Sequence, residues 1–163
     1  MKEIISQQLK VPKDAQILDL GCGPGIIGEM LGQSSLGYSN IDGVDATPNY
    51  VQTAKASGNY RETGVCWVGN GLEKFPWNDC KGKYELVVGC GVYYEGHFPK
   101  EAFDDHVEAT KPGGHILFGV RELYWESGEK NGFYDKIHDL IKAGKLQEEP
   151  AVSMTYERGI PEL

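Results

Sequence analysis

Basic residues are scarce in this sequence: Lys and Arg number 16 against 24 Asp and Glu, a formal net charge of −8. Affinity for nucleic acid rests on Lys and Arg neutralising phosphates, so no nucleic-acid partner is expected. The same balance argues against anionic membrane surfaces. No apolar run approaches transmembrane length, and the opening MKEIISQQLKVPKD holds no apolar core of signal-peptide length. Cysteine is limited to Cys22, Cys66, Cys80 and Cys90, with no CxxC pair among them. The histidines, His97, His106, His115 and His138, show no HExxH or related spacing, so no metal site is expected. Reduced thiols without a membrane or secretion signal give the expectation of a cytoplasmic protein.

Glycine, by contrast, is plentiful at 22 of 163 residues, which suits many tight strand-to-helix turns. The length suits one domain with a real core. Apolar strand patterns at 16–20, 40–45, 64–68, 84–90 and 115–120 alternate with helical patterns at 25–33, 47–56, 99–110 and 132–145. Thr47 stands at the N-cap position of the second helix, with Pro48 at its first residue, where the missing N–H is harmless. A sixth strand is expected near 151–156. Strands alternating with helices predict an α/β fold with a doubly wound, mostly parallel sheet.

The most informative stretch is ILDLGCGPGIIGEM, residues 17–30. Two readings of its glycine turn compete. Gly23, Gly25 and Gly28 match GxGxxG, the dinucleotide fingerprint, and Asp45 follows at the end of the second strand, where a ribose-binding acid belongs. The alternative is an acidic GxGxG turn starting at Asp19 and holding S-adenosylmethionine (SAM). Asp19 would repel a pyrophosphate but suits the ammonium of a methionine moiety. Pro24 removes a backbone N–H from a loop that would need such donors for phosphate. The KPGG at 111–114 reads as a tight turn before the fifth strand. These points favour the second reading.

The segments ILDLGCGPG, VGNGLEKFPW, YELVVGCGVYYEGHFP and ATKPGGHILFGVRE follow one another along the chain. In that order they resemble the successive motifs of class I SAM-dependent methyltransferases, over nearly the whole length. The GVYYEGHFPKEAF…KPGG…VRE stretch is more particular, and resembles the methyltransferase-like proteins named after the Williams–Beuren syndrome region. The resemblance implies a Rossmann-like methyltransferase fold. It implies that Asp19, Gly21, Cys22 and Gly23 line the methionine end, that Asp45 accepts both ribose hydroxyls, and that Ala46 packs on adenine. Asn70 stands where the family usually has Asp for the adenine amino group, and its side-chain oxygen can still accept. Gly71 would offer an N–H to the ring, and Cys90 a carbonyl to the amino-acid end.

The expected activity is methyl transfer from SAM to a small-molecule or protein acceptor. A non-catalytic SAM-binding module and an NAD-dependent oxidoreductase are the alternatives. Displacement at a sulfonium needs alignment and exclusion of water more than acids and bases. His97, in the loop after the fourth strand, is the candidate base, or else a residue fixing that loop. Tyr93 and Tyr94 would shape the acceptor pocket, or simply pack there. Cys90 has nothing nearby in sequence to activate it as a nucleophile. The resemblance further implies a final antiparallel strand between the fifth and sixth. The sequence shows no apolar run for it, so the expectation is a single domain over 1–163, shortened at both ends and lacking that strand. An unpaired fifth strand is a pairing hazard, so the expectation is that the sixth strand pairs with it directly or that a second copy supplies a strand in a homodimer through this edge.

Overall fold

The alternation of strands and helices builds one sheet with helices on both sides in the computed structural model of the protein, which describes residues 1–32 and 35–149. Five strands, β1 (Ile17–Leu20), β2 (Ile41–Asp45), β3 (Glu62–Val65), β4 (Tyr84–Tyr93) and β5 (Thr110–Val120), run in the order β3-β2-β1-β4-β5. Every pairing is parallel. The order reverses at β1, which lies between β2 and β4. In open α/β sheets the crevice outside the carboxyl end of such a switch point is where ligands bind. The glycine turn leaves β1 at that place.

Period-two alternation along β1 sends its side chains to opposite faces. Ile17 packs with Leu31 of α1 (Ile26–Leu31), with Ile5 and with Leu86 and Val88 of β4. Leu18 and Leu20 belong to the opposite layer. That layer is built with α3 (Ala102–Ala109) and α4 (Phe133–Lys142), through Phe103, Phe133, Ile137 and Leu140. Helix α2 (Pro48–Ala56) buries Val51 and Ala54. Asp19 therefore shares its face with Ile17, toward α1, as the only polar residue of a fully buried strand.

Several elements differ from their sequence reading. The third strand is ETGV at 62–65, earlier than the expected 64–68. Its pairing is set by backbone register with β2, Asp42 opposite Glu62 through Asp45 opposite Val65. Cys66 and Val68 instead bury themselves in loop packing with Phe75. The KPGG segment lies inside β5, where the register shifts between Tyr84 and Leu86 of the partner strand. It is a bulge within the strand, not a turn before it. Strand β4 continues past Cys90 to Tyr93. The Tyr93 ring is core: it stacks on Phe103 with centroids 4.3 Å apart and meets Phe118 and Phe133 edge-on. It shapes no acceptor pocket directly. Among the described residues β5 pairs only with β4. The expected sixth strand at 151–156 lies outside the described residues.

Candidate functional site

The turn after β1 is possible because three of its residues adopt the left-handed backbone that glycine tolerates: Gly21 at φ 76°, Gly23 at 53° and Gly25 at 104°. Its backbone donors are almost all taken. The Gly21 and Cys22 N–H groups donate to the Val44 carbonyl at 2.8 and 2.9 Å, and the Gly25 N–H to the Cys22 carbonyl at 3.0 Å. The Gly23 N–H donates to Asp45 Oδ2 at 3.0 Å. Pro24 has none. A pyrophosphate-binding turn needs such N–H groups free, and this one has none from Gly21 to Gly25. The turn itself therefore offers a pyrophosphate no backbone donor.

Asp45 stands at the end of β2 with its carboxylate fixed by two backbone donors, Gly23 N–H on Oδ2 and Thr47 N–H at 2.8 Å on Oδ1. Each oxygen keeps a lone pair for an incoming hydroxyl. Thr47 occupies the expected N-cap position of α2, without a capping bond from its side chain. Ala46, between them, is half-buried.

Asp19 is fully buried. Its Oδ2 accepts the Tyr60 hydroxyl at 2.7 Å, and Oδ1 has no hydrogen-bond partner among the described residues. Burial raises its pKa to about 7; the Tyr60 hydrogen bond opposes the rise and the Asp45 charge adds to it. The Tyr60 oxygen in turn accepts the Gly28 N–H at 2.9 Å. Its ring fills the space that side chains at Gly28 and Gly43 would occupy, at 2.3 and 2.7 Å from their Cβ positions. Sequence reasoning missed Tyr60. The paired glycines, one in a helix and one in a strand, were the only signal for a ring seated between them.

Gly21 and Gly23 differ. A Cβ on Gly21 would meet Val92 at 2.5 Å and Phe98 at 3.1 Å, so the loop after β4 closes over it, whereas nothing lies within 4 Å of a Cβ on Gly23. Cys22 departs from expectation. Its N–H and carbonyl are both taken within the fold and its thiol is buried. Burial and then the Asp19 and Asp45 charges push that thiol well up. Cys22 thus shapes the turn, with its N–H committed to Val44. Cys90 is exposed on β4. Desolvation first, and the Asp19 charge second, push its pKa up, which leaves it a thiol and a poor nucleophile.

Asn70 is exposed, and its side-chain nitrogen donates to the Trp67 carbonyl at 3.0 Å, which leaves Oδ1 as the outward acceptor. The Gly71 N–H is not free for an adenine ring as expected: it donates to Asp105 Oδ1 at 3.2 Å, and the Gly69 N–H to Oδ2 at 2.5 Å. Asp105, buried on α3, thus ties this loop to the helix. Its neighbour His106 is buried. Its Nδ1 meets the Ala102 carbonyl at 2.8 Å, Nε2 has no partner among the described residues, and burial lowers its pKa to about 4. His97 is exposed, with its ring 3.6 Å from that of Tyr94 and its Nε2 hydrogen-bonded to the Tyr94 hydroxyl. The adjacent Phe98 is the residue that reaches Gly21.

An edge carrying Asp19 and Asp45 beside a donor-depleted glycine turn matches a cationic nucleoside far better than an anionic one. Residues 17–114 match the family described as a methyltransferase domain. The chain belongs to that family. The match spans the region from β1 into β5 that builds the site. Methyltransferase-like protein 27 of Homo sapiens is 30% identical over 110 residues, which cover 68% of this chain and 42% of that protein. The chain thus spans less than half the length of that relative. A TehB-like SAM-dependent methyltransferase from Corynebacterium glutamicum superposes with a TM-score of 0.59 at 22% identity, over 86% of this chain and 70% of that one. Phosphoethanolamine N-methyltransferase 2 of Haemonchus contortus, solved in complex with S-adenosyl-L-methionine, gives 0.55 at 18% identity, over 87% of this chain and 35% of that one. The domain shares its parallel α/β fold with these solved methyltransferases. Among the described residues no helix is long and apolar enough to cross a membrane, and no group of three or more acidic, His or Cys side chains could hold a metal.

Proposed function

We propose that the protein transfers a methyl group from SAM to an acceptor held at the carboxyl edge of β1, β2 and β4. The observation that carries this reading is Asp19 Oδ1, a fully buried carboxylate oxygen with no partner among the described residues. An unpaired buried acceptor is costly, and a cationic ammonium group repairs it. The other residues fit the rest of the cofactor. Asp45 would take the ribose hydroxyls on its free lone pairs, Asn70 Oδ1 the adenine amino group, and Ala46 with exposed Trp67 would supply apolar surface beside the ring. Gly21, Gly23 and the Cys90 carbonyl would border the methionine end. When bound, the cofactor supplies an activated methyl on a sulfonium.

The chain's own part is alignment and exclusion of water. The loop from Val92 to Phe98 closes over Gly21 and places His97 at its outer side. His97, steered by Tyr94, would take a proton from an acceptor that carries one. The acceptor is a small molecule or a protein group. The whole of 1–163 acts as one domain in this reading, in the cytoplasm, with a second copy able to cover the β5 edge. The test is transfer of labelled methyl from SAM into a panel of amine, hydroxyl and thiol acceptors. Label appearing in an acceptor, with S-adenosylhomocysteine (SAH) formed in equal amount, supports the reading. Cofactor binding without turnover on any acceptor supports a binding module instead.

A further inference from the structure

Tyr60 belongs to no motif, yet it joins the two halves of the site. It leaves the end of α2 and enters between α1 and the sheet. Its neighbour Arg61 fixes the chain there, with Nε on Asp42 Oδ1 at 2.9 Å and its N–H on the Ile41 carbonyl at 2.7 Å. The ring then has one seat, between Gly28 and Gly43, and a methyl group at either would collide with it. The hydroxyl has one proton and receives the Gly28 N–H on its oxygen. That proton therefore points to Asp19 Oδ2, and the hydrogen bond has a fixed direction while Asp19 is ionised. With Oδ2 engaged, Oδ1 is the oxygen left over.

We propose that Tyr60 is a positioning residue for cofactor binding: its hydroxyl, anchored on the first turn of α1, holds the Asp19 carboxylate so that Oδ1 is presented to the ammonium of the cofactor's amino-acid end. This rests on the reading of the site as a SAM site. Nothing else nearby can do the same. Asp19 forms no ion pair among the described residues. The titratable groups acting on it are Asp45 from β2 and Tyr60 itself, and neither is a cation; the N-terminal ammonium acts on Cys90 of β4, not on Asp19. Tyr60 is the one group whose hydrogen bond favours the ionised carboxylate against burial.

The test compares wild type with Tyr60→Phe, which keeps the ring in its seat and removes the hydroxyl. Two probes are titrated by calorimetry: SAH, and 5′-methylthioadenosine, which has the same nucleoside and thioether but no amino-acid end. Tyr60→Phe is expected to weaken SAH about tenfold and to change methylthioadenosine by less than about twofold. The pH at which SAH affinity reaches half its maximum should also move upward, because Asp19 loses the bond that favours its charge. Equal weakening of both probes would make Tyr60 merely structural and overturn the proposal, as would unchanged affinity for both. A wild-type protein that binds neither probe would overturn the site assignment itself, and the Tyr60 proposal with it.

Discussion

Asp45 Oδ2 lies 3.0 Å from the Gly23 nitrogen and accepts its N–H, so the acid at the end of β2 is bolted to the glycine turn after β1. This one bond removes a donor from the turn and fixes the carboxylate that would face a ribose. Hydrogen bonds to a charged acceptor contribute about 1.5–3 kcal/mol each, and about 1.4 kcal/mol is a factor of ten. Asp45→Ala should therefore weaken SAH more than tenfold. Calorimetry checks it, and an unchanged dissociation constant would remove Asp45 from the site.

Gly28→Ala sets two effects against each other. Ala for Gly in a helix gains about 1 kcal/mol. The new methyl would lie 2.3 Å from the Tyr60 ring, which has no other seat. Overpacking of this kind costs about 1–3 kcal/mol. The clash should win, with a lower Tm for the single variant. Adding Tyr60→Ala should remove the penalty of Gly28→Ala, and a fully additive double variant would contradict this packing.

Asp19 makes apo stability pH-dependent in a definite direction. Its pKa in the folded protein is raised to about 7 by burial, against about 3.9 in an unfolded chain. Its share of stability is complete below about pH 4 and is lost as pH rises through about 7, to the extent of about 4 kcal/mol at most. His106 acts in the opposite sense, since its lowered pKa of about 4 costs stability as pH falls below about 6.5. The comparison with Asp19→Asn isolates the first effect. The Tm of wild type relative to Asp19→Asn should fall between about pH 4 and pH 7 without ligand, and less steeply with SAH. Parallel Tm curves for the two proteins would show that Asp19 does not titrate in this range.

His97 is exposed, on the loop whose Val92 and Phe98 lie over Gly21. His97→Ala should leave SAH affinity within about twofold and lower turnover about a hundredfold on an acceptor that must lose a proton. Tyr94→Phe should lower turnover less. Equal loss of binding and turnover in His97→Ala would assign the ring to loop structure.

The positions at the carboxyl edge were legible where identity and local turn geometry decide them. Asp19, Gly23 and Asp45 could be placed from their spacing around two strand ends, because a strand, a positive-φ turn and a helix leave little freedom. The state of the Gly71 N–H could not be read: whether it is free depends on a partner far along the chain, here Asp105. Tyr60 was invisible for the same reason, being 41 residues from Asp19. The edge strand β3 was displaced because its apolar residues, Cys66 and Val68, pack in the following loop while Glu62–Val65 carry the pairing. The KPGG segment reads as a turn because turn and bulge alike place a glycine at positive φ, and Gly113 has φ 78°.

A site for a cationic, phosphate-free nucleoside cofactor is separated from a dinucleotide site by calorimetric titration of the wild-type protein with SAH and, separately, with NADH. Saturable binding of SAH, reduced more than tenfold by Asp45→Ala, and no detectable heat of binding for NADH are expected. Saturable binding of NADH with none of SAH would contradict this reading of the site.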